Sequence, residues 1–161
     1  MNGGIDMTQP NVLFVCLGNI CRSTMAEAIF RNETIVRNLN YISDSAGTGD
    51  WHIGKEPHSG TREKLIENNI SYADIYARQI NVKDFDVYDY IIAMDSQNLK
   101  DIQALAPSNY IGELHTLLHF SPNTNLVDVP DPYYTGDFQE TFNLITDAMP
   151  GLFNALQKNS K

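Results

Sequence analysis

The stretch Val12-Leu13-Phe14-Val15-Cys16-Leu17-Gly18-Asn19-Ile20-Cys21-Arg22-Ser23 decides the fold. Val12 to Val15 is an unbroken apolar run, the pattern of a parallel strand buried on both faces. From Ser23 the period changes. Met25 with Ile29, and Ala26 with Phe30, stand four apart, as on the buried stripe of a helix running to about Leu39. A short loop starting at Cys16 and ending in Arg22 and Ser23 joins the two. A loop entering a helix gathers unpaired backbone N–H groups at the positive end of the helix dipole. The sequence therefore predicts an anion site with a thiol at its base and a guanidinium at its rim.

Residue types specify the chemistry further. N–H groups, an arginine and the hydroxyl of Ser23 around a cysteine stabilise the thiolate, which is the nucleophilic form. Arg22 offers a planar fork that grips two oxygens of a tetrahedral oxyanion, which lysine cannot do. Cys16, five intervening residues and Arg22 make an arrangement for attack on phosphorus, with the nucleophile beneath and positive charge around the equatorial oxygens. Elsewhere such a spacing is mostly a structural Cys with a chance Arg. Its place between a buried strand and a helix is what gives it meaning here.

The remaining chain alternates in the same way. Tyr41–Ala46 reads as a second strand, followed by a long loop from Gly47 to Gly60. A helix over Ser59–Asn69 places Leu65 and Ile66 inward, and Ser71–Phe85 is irregular with one short helix near its end. Tyr88–Met94 is a third strand. Asp95 or Ser96 caps a helix whose Leu99, Ile102 and Leu105 share one face. Ile111–Leu117 is a fourth strand, and His119–Thr135 a loop with three prolines. A last helix buries Phe138, Phe142, Ile145 and Met149, and Pro150 is expected to kink or break it. Alternating strands and helices predict an α/β fold: a doubly wound four-stranded parallel sheet flanked by helices. Residues 1–10 read as a disordered lead-in and 11–158 as one domain.

Composition narrows the function. The 161 residues are 42% hydrophobic, enough for one well-formed core. Twenty acidic residues against 11 basic ones give a net charge of −9. Such a surface repels nucleic acid and anionic membranes. No apolar run approaches the ~20 residues of a membrane span. The first residues lack a basic region followed by an apolar stretch, and two cysteines do not make a secreted disulfide scaffold. The expected setting is a reducing cytoplasm.

Cys16-Leu17-Gly18-Asn19-Ile20-Cys21-Arg22-Ser23 resembles the phosphate-binding loop of the low-molecular-weight protein tyrosine phosphatases. Asp131-Pro132-Tyr133-Tyr134 resembles their general-acid loop. Ser45-Ala46-Gly47-Thr48, Trp51, Ala77-Arg78-Gln79-Ile80 and Asp89-Tyr90-Ile91-Ile92-Ala93-Met94-Asp95 match as well, so the resemblance spans about Asn11 to Leu156. It implies hydrolysis of phosphotyrosine, and of small aryl phosphates, through a phosphocysteine intermediate with no metal or other cofactor. The implied partners are phosphotyrosine-containing proteins, and the implied state is a monomer or weak self-association.

Roles follow position by position. Cys16 is the nucleophile, Arg22 the oxyanion clamp, and Leu17, Gly18, Asn19, Ile20, Cys21 and Ser23 complete the phosphate-binding loop. Asp131 stands where the family's acid stands, and Pro130 and Pro132 stiffen it. Asp128 and Asp137 suit turn positions better. Trp51, Tyr133 and Tyr134 are expected to wall a deep pocket for a phenyl ring. Asn19 tolerates the left-handed backbone that turns successive N–H groups inward. Many relatives hold this Asn with a His at the position occupied here by Ile75, so Ser45 and Ser23 are left to brace it. Pro57-His58-Ser59-Gly60 departs from the Asp-Pro-Arg of many relatives toward bacterial variants. His52, His58, His115 and His119 read as surface or packing residues, without metal-ligand spacing. Cys21 suggests a redox role, trapping an oxidised Cys16 as a disulfide; the alternative is space-filling.

Two rival readings stand beside this one. An arsenate reductase of the same architecture relays oxidation onto further cysteines, and the chain has none after Cys21. A non-catalytic phosphate binder or thiol switch has little need of an acid at Asp131.

Overall fold

The computed structural model describes residues 9–158. Its centre is strand β1, Val12–Cys16, every residue of which is buried. β2 (Ser43–Gly47) lies on one side of it and β3 (Tyr90–Ala93) on the other, with β4 (Glu113–Thr116) beyond β3. All pairings are parallel and the order is β2-β1-β3-β4. The chain therefore leaves β1 in one direction and returns on the other side of it. Such a switch in strand order opens a crevice at the strands' C-terminal ends, and Cys16 is the last residue of β1.

Alternation along β1 explains its unbroken apolar run. Val12 and Phe14 point into a core with α1 (Arg22–Val36) and α6 (Phe138–Lys158), where Phe30 stacks on Phe153 at 4.7 Å. Leu13 and Val15 point to the opposite face, against Ile91, Ala93 and Ile102 of α4 (Ser96–Leu105). The doubly wound four-stranded parallel sheet is the one expected.

Several boundaries differ from the sequence reading. β2 begins at Ser43, two residues late, and β4 is limited to Glu113–Thr116, leaving Ile111 99% exposed. α2 (Ser59–Glu67) buries Leu65, whereas Ile66 faces solvent, because the next helical position is turned by ~100°. The expected short helix is α3, Asp84–Val87. The loop after β4 contains a 3-10 turn, Leu117–Phe120, and a four-residue helix α5, Pro132–Thr135, neither of which has apolar periodicity to announce it.

Pro150 does not break α6, which runs through it without interruption. The lost hydrogen bond and ring clash cost about 3 kcal/mol. Leu152, Phe153 and Leu156 beyond the proline are all fully buried, and each contributes roughly 1.5–3 kcal/mol. Burial wins. Gly151 supplies the needed proximity, since a Cβ there would lie 1.9 Å from the Phe120 carbonyl oxygen. Of the expected lead-in, residues 1–8 lie outside the described residues, and Pro10 is buried.

Candidate active site

The loop from Cys16 to Arg22 closes on itself because its carbonyls are tied outward. Those of Cys16, Leu17 and Ile20 accept from the N–H groups of Thr48, Gly49 and His58, at 2.9, 2.9 and 2.7 Å. Gly47 permits this approach: a Cβ there would sit 2.7 Å from the Leu17 oxygen. Asn19 takes φ 56°, the left-handed backbone expected of it. α1 begins immediately after the loop with no acidic residue in its first turn and no side-chain cap from Cys21. Its N-terminal dipole is open to whatever fills the loop.

Buried hydrogen bonds order Cys16. Cys16 Sγ lies 2.9 Å from Ser23 Oγ and accepts from the Asn19 N–H at 3.3 Å. Asn19 Nδ2 donates to both Ser23 Oγ (2.8 Å) and Ser45 Oγ (3.0 Å). Its Oδ1 accepts from the Arg78 N–H at 2.9 Å. Since Ser23 Oγ already accepts from Asn19, its own proton is free to point at the Cys16 sulfur. The expected braces Ser45 and Ser23 are thus both in contact with Asn19. Ile75, 3% exposed, packs into the core and takes no part.

The network runs one residue further than the sequence reading reached. Ser45 donates to Glu27 Oε1 at 2.7 Å, and Glu27 is 6% exposed. Burial pushes its carboxyl up to about 7, against the favourable hydrogen bond from Ser45. Asp44 adds to the rise, while Arg31 and Arg78 oppose it. Arg78 is itself held by Asp44 and Asp84 at 3.0 Å each.

Arg22 is 3% exposed and firmly anchored. Nη1 donates to Asp95 Oδ2 at 2.7 Å and to the Val129 carbonyl at 2.9 Å, and Nη2 lies 3.4 Å from Asp131 Oδ2. Burial disfavours the guanidinium's charge, but Cys16, Asp95 and Asp131 outweigh it and raise its pKa. Nε is buried without a partner, so an N–H remains for an incoming anion. Asp95, expected only as a helix cap, does cap α4 through the Asn98 N–H and also positions Arg22. That second role joins residues 73 apart, which no local pattern signals.

Above the loop lies a cavity of about 330 Å³. Cys16 and Cys21 line it together with Asp131, Trp51, Tyr133 and Tyr134. Asp131 caps α5, accepting from the Tyr133 N–H at 3.0 Å, and its side chain is 22% exposed. By contrast, Asp128 is bound to Ser96 and Asp137 to Glu140 N–H, as turn and cap residues. His58 packs as expected, stacked on Phe138 at 5.0 Å, and His115 stacks on His119 at 4.5 Å. His52 is half-buried. It lines the cavity beside Gly18, at 3.0 Å from where a Cβ there would stand. Cys21 is 4% exposed and free, and burial with the neighbouring Cys16 charge pushes its thiol up to about 12.

Known proteins resemble this chain in sequence and fold. The family model for low molecular weight phosphotyrosine protein phosphatase matches residues 11–161. The chain is 46% identical to the low molecular weight protein-tyrosine-phosphatase YfkJ of Bacillus subtilis, over 94% of this chain and 98% of that one. It is 43% identical to PtpA of Staphylococcus saprophyticus, over 92% and 95% of the two chains. The crystal structure of YfkJ superposes with a TM-score of 0.92 over 99% of this chain and 100% of that one, at 44% identity. A protein tyrosine phosphatase from Entamoeba histolytica, 33% identical, superposes with a TM-score of 0.87 over 92% and 97% of the chains. This chain belongs to the low molecular weight phosphotyrosine protein phosphatase family.

Proposed function

We propose that the chain hydrolyses phosphotyrosine in proteins, and small aryl phosphates, through a phosphocysteine intermediate and without a metal. One observation carries the reading: Arg22 is pinned through Nη1 while its buried Nε is unpaired, beside Cys16 and below a cavity lined by Asp131. A phosphate in the loop meets Nε and Nη2 of Arg22 and the open end of α1. The Cys16 thiolate attacks phosphorus in line, the P–O bond breaks, and Asp131 gives its proton to the departing phenolate oxygen. Water then attacks the phosphocysteine, Asp131 takes the water's proton, and the S–P bond breaks to release phosphate and restore the thiolate. Trp51, Tyr133 and Tyr134 grip the substrate ring.

Cys21 is proposed as the resolving thiol. Peroxide converts Cys16 to a sulfenic acid, and the Cys21 thiol condenses with it, forming the disulfide and releasing water. The proposed unit is a single domain over 11–158, monomeric or weakly self-associating. It acts in the cytoplasm on phosphotyrosine proteins and not on nucleic acid or membranes. Among the described residues no helix is long and apolar enough to cross a bilayer.

The test is hydrolysis of p-nitrophenyl phosphate with EDTA present. Wild type is expected to turn over and Cys16→Ser to retain phosphate binding without turnover. Residual activity above about a thousandth of wild type would remove Cys16 as nucleophile.

A further inference from the structure

Leu17 and Trp51 line both the phosphate cavity and an adjoining groove of about 460 Å³. The indole lies directly over Gly49, where a Cβ would come within 1.9 Å of its ring, so its plane is set by the backbone beneath. Thr48, Gly49, Gln79, Ile80, Asp101 and Leu105 complete the groove's lining. Gln79 is held in place by donating to the Thr48 carbonyl at 3.1 Å.

The groove joins an apolar strip to a single charge. Among its described lining residues Asp101 alone is charged. Asp101 sits on α4, exposed, and accepts from Gln97 Nε2 at 3.1 Å, but no cationic side chain pairs with it among the described residues. Apolar Ile80 and Leu105 together with the Asp101 carboxylate fit a long aliphatic stem that ends in a cation. The exposed Trp51 face adds an attractive surface for that cation. Net charge of −9 favours the approach of basic segments over acidic ones.

We propose that this groove binds a lysine or arginine side chain of the substrate that lies within three residues of the phosphotyrosine. Continuity with the cavity dictates the short separation, because an extended peptide advances only ~3.3–3.6 Å per residue. With the phosphotyrosine ring against one side of Trp51, a neighbouring residue crosses over the indole and drops its side chain onto Ile80 and Leu105. The inference rests on the phosphotyrosine reading above, and it makes Asp101 a determinant of which protein sites are chosen. An exposed pair of this kind is a modest effect, about fivefold in kcat/KM at low salt and smaller at high salt.

The experiment is a set of phosphotyrosine peptides with Arg, Ala or Glu placed singly at each of the three positions on either side. Wild type, Asp101→Asn and Asp101→Lys are compared, with p-nitrophenyl phosphate as the reference substrate. At one or two positions wild type is expected to prefer Arg over Ala and Ala over Glu. Asp101→Asn levels the series, Asp101→Lys inverts it, and all three enzymes hydrolyse p-nitrophenyl phosphate equally. Hydrolysis without an arginine preference at any position, or a preference that survives Asp101→Lys, overturns this inference alone. A wild type inactive on the reference substrate and on every peptide overturns the phosphatase reading and this one with it.

Discussion

The Ser45 hydroxyl, on the edge strand β2, donates to the Glu27 carboxyl on α1 across 2.7 Å. This bond ends a chain that starts at the Cys16 sulfur and passes through Ser23, Asn19 and Ser45. The loop's geometry is thereby fastened to two elements of the fold, and one end of the fastening is an ionisable group.

Glu27 makes stability depend on pH. Its carboxyl is raised to about 7 in the fold, against ~4.3 in an unfolded chain. A raised pKa means that the folded protein holds the proton more tightly. The associated stability is complete below about pH 4.3 and lost as pH rises through 7. The shift corresponds to roughly 4 kcal/mol. Glu27→Gln, a neutral mimic that still accepts from Ser45, is expected to match wild type near pH 4.5 and to exceed it at pH 8. Denaturant titrations across that range check this, and parallel curves for the two proteins would contradict it.

Asp131→Asn is expected to hurt most where the leaving group is poor. A phenolate of pKa ~10 needs a proton, worth about 10²–10⁴-fold, while a nitrophenolate departs readily without one. The ratio of losses in kcat on phosphotyrosine and p-nitrophenyl phosphate measures it. Equal losses would take the acid role from Asp131.

Trp51 is 66% exposed, so its truncation removes a cavity wall and little core. Trp51→Ala is expected to raise KM for aryl phosphates about tenfold, in line with one lost aromatic contact. The inhibition constant of inorganic phosphate should hardly move. Parallel weakening of both would mean that the indole supports the loop and not the ring.

Much of the site was legible because it is local. Val12 to Ser23 carries strand, loop, the proposed nucleophile and clamp, and helix start in one segment, and Asn19 has the left-handed backbone its residue type suggested. What stayed hidden depends on where other elements land. Glu27 looks like an ordinary surface glutamate until β2 is laid against α1. Asp95 reads as a cap, and its hold on Arg22 appears only once β3 lies beside β1. His52 offers no pattern at all, and the loop after β2 simply carries it over Gly18. Pro150 misled because the apolar residues beyond it outweigh the local penalty.

Cys21 gives a further test. With peroxide followed by dithiothreitol, wild type is expected to recover most of its activity, and Cys21→Ser to stay inactive as Cys16 proceeds to sulfinic acid. The high pKa of the buried Cys21 thiol makes it a poor target for peroxide itself, leaving Cys16 to be oxidised first. Equal recovery of the two proteins would reduce Cys21 to packing at the start of α1.

The proposed phosphocysteine is open to direct capture. In Asp131→Asn, p-nitrophenyl phosphate still phosphorylates the enzyme, while hydrolysis of the intermediate is slowed by loss of the base. Rapid denaturation at mildly alkaline pH during turnover, digestion and mass spectrometry without acid exposure then locate the phosphate. A phosphorylated peptide with the group on Cys16, absent from Cys16→Ser, is expected. Phosphate on another residue, such as His52, would contradict it.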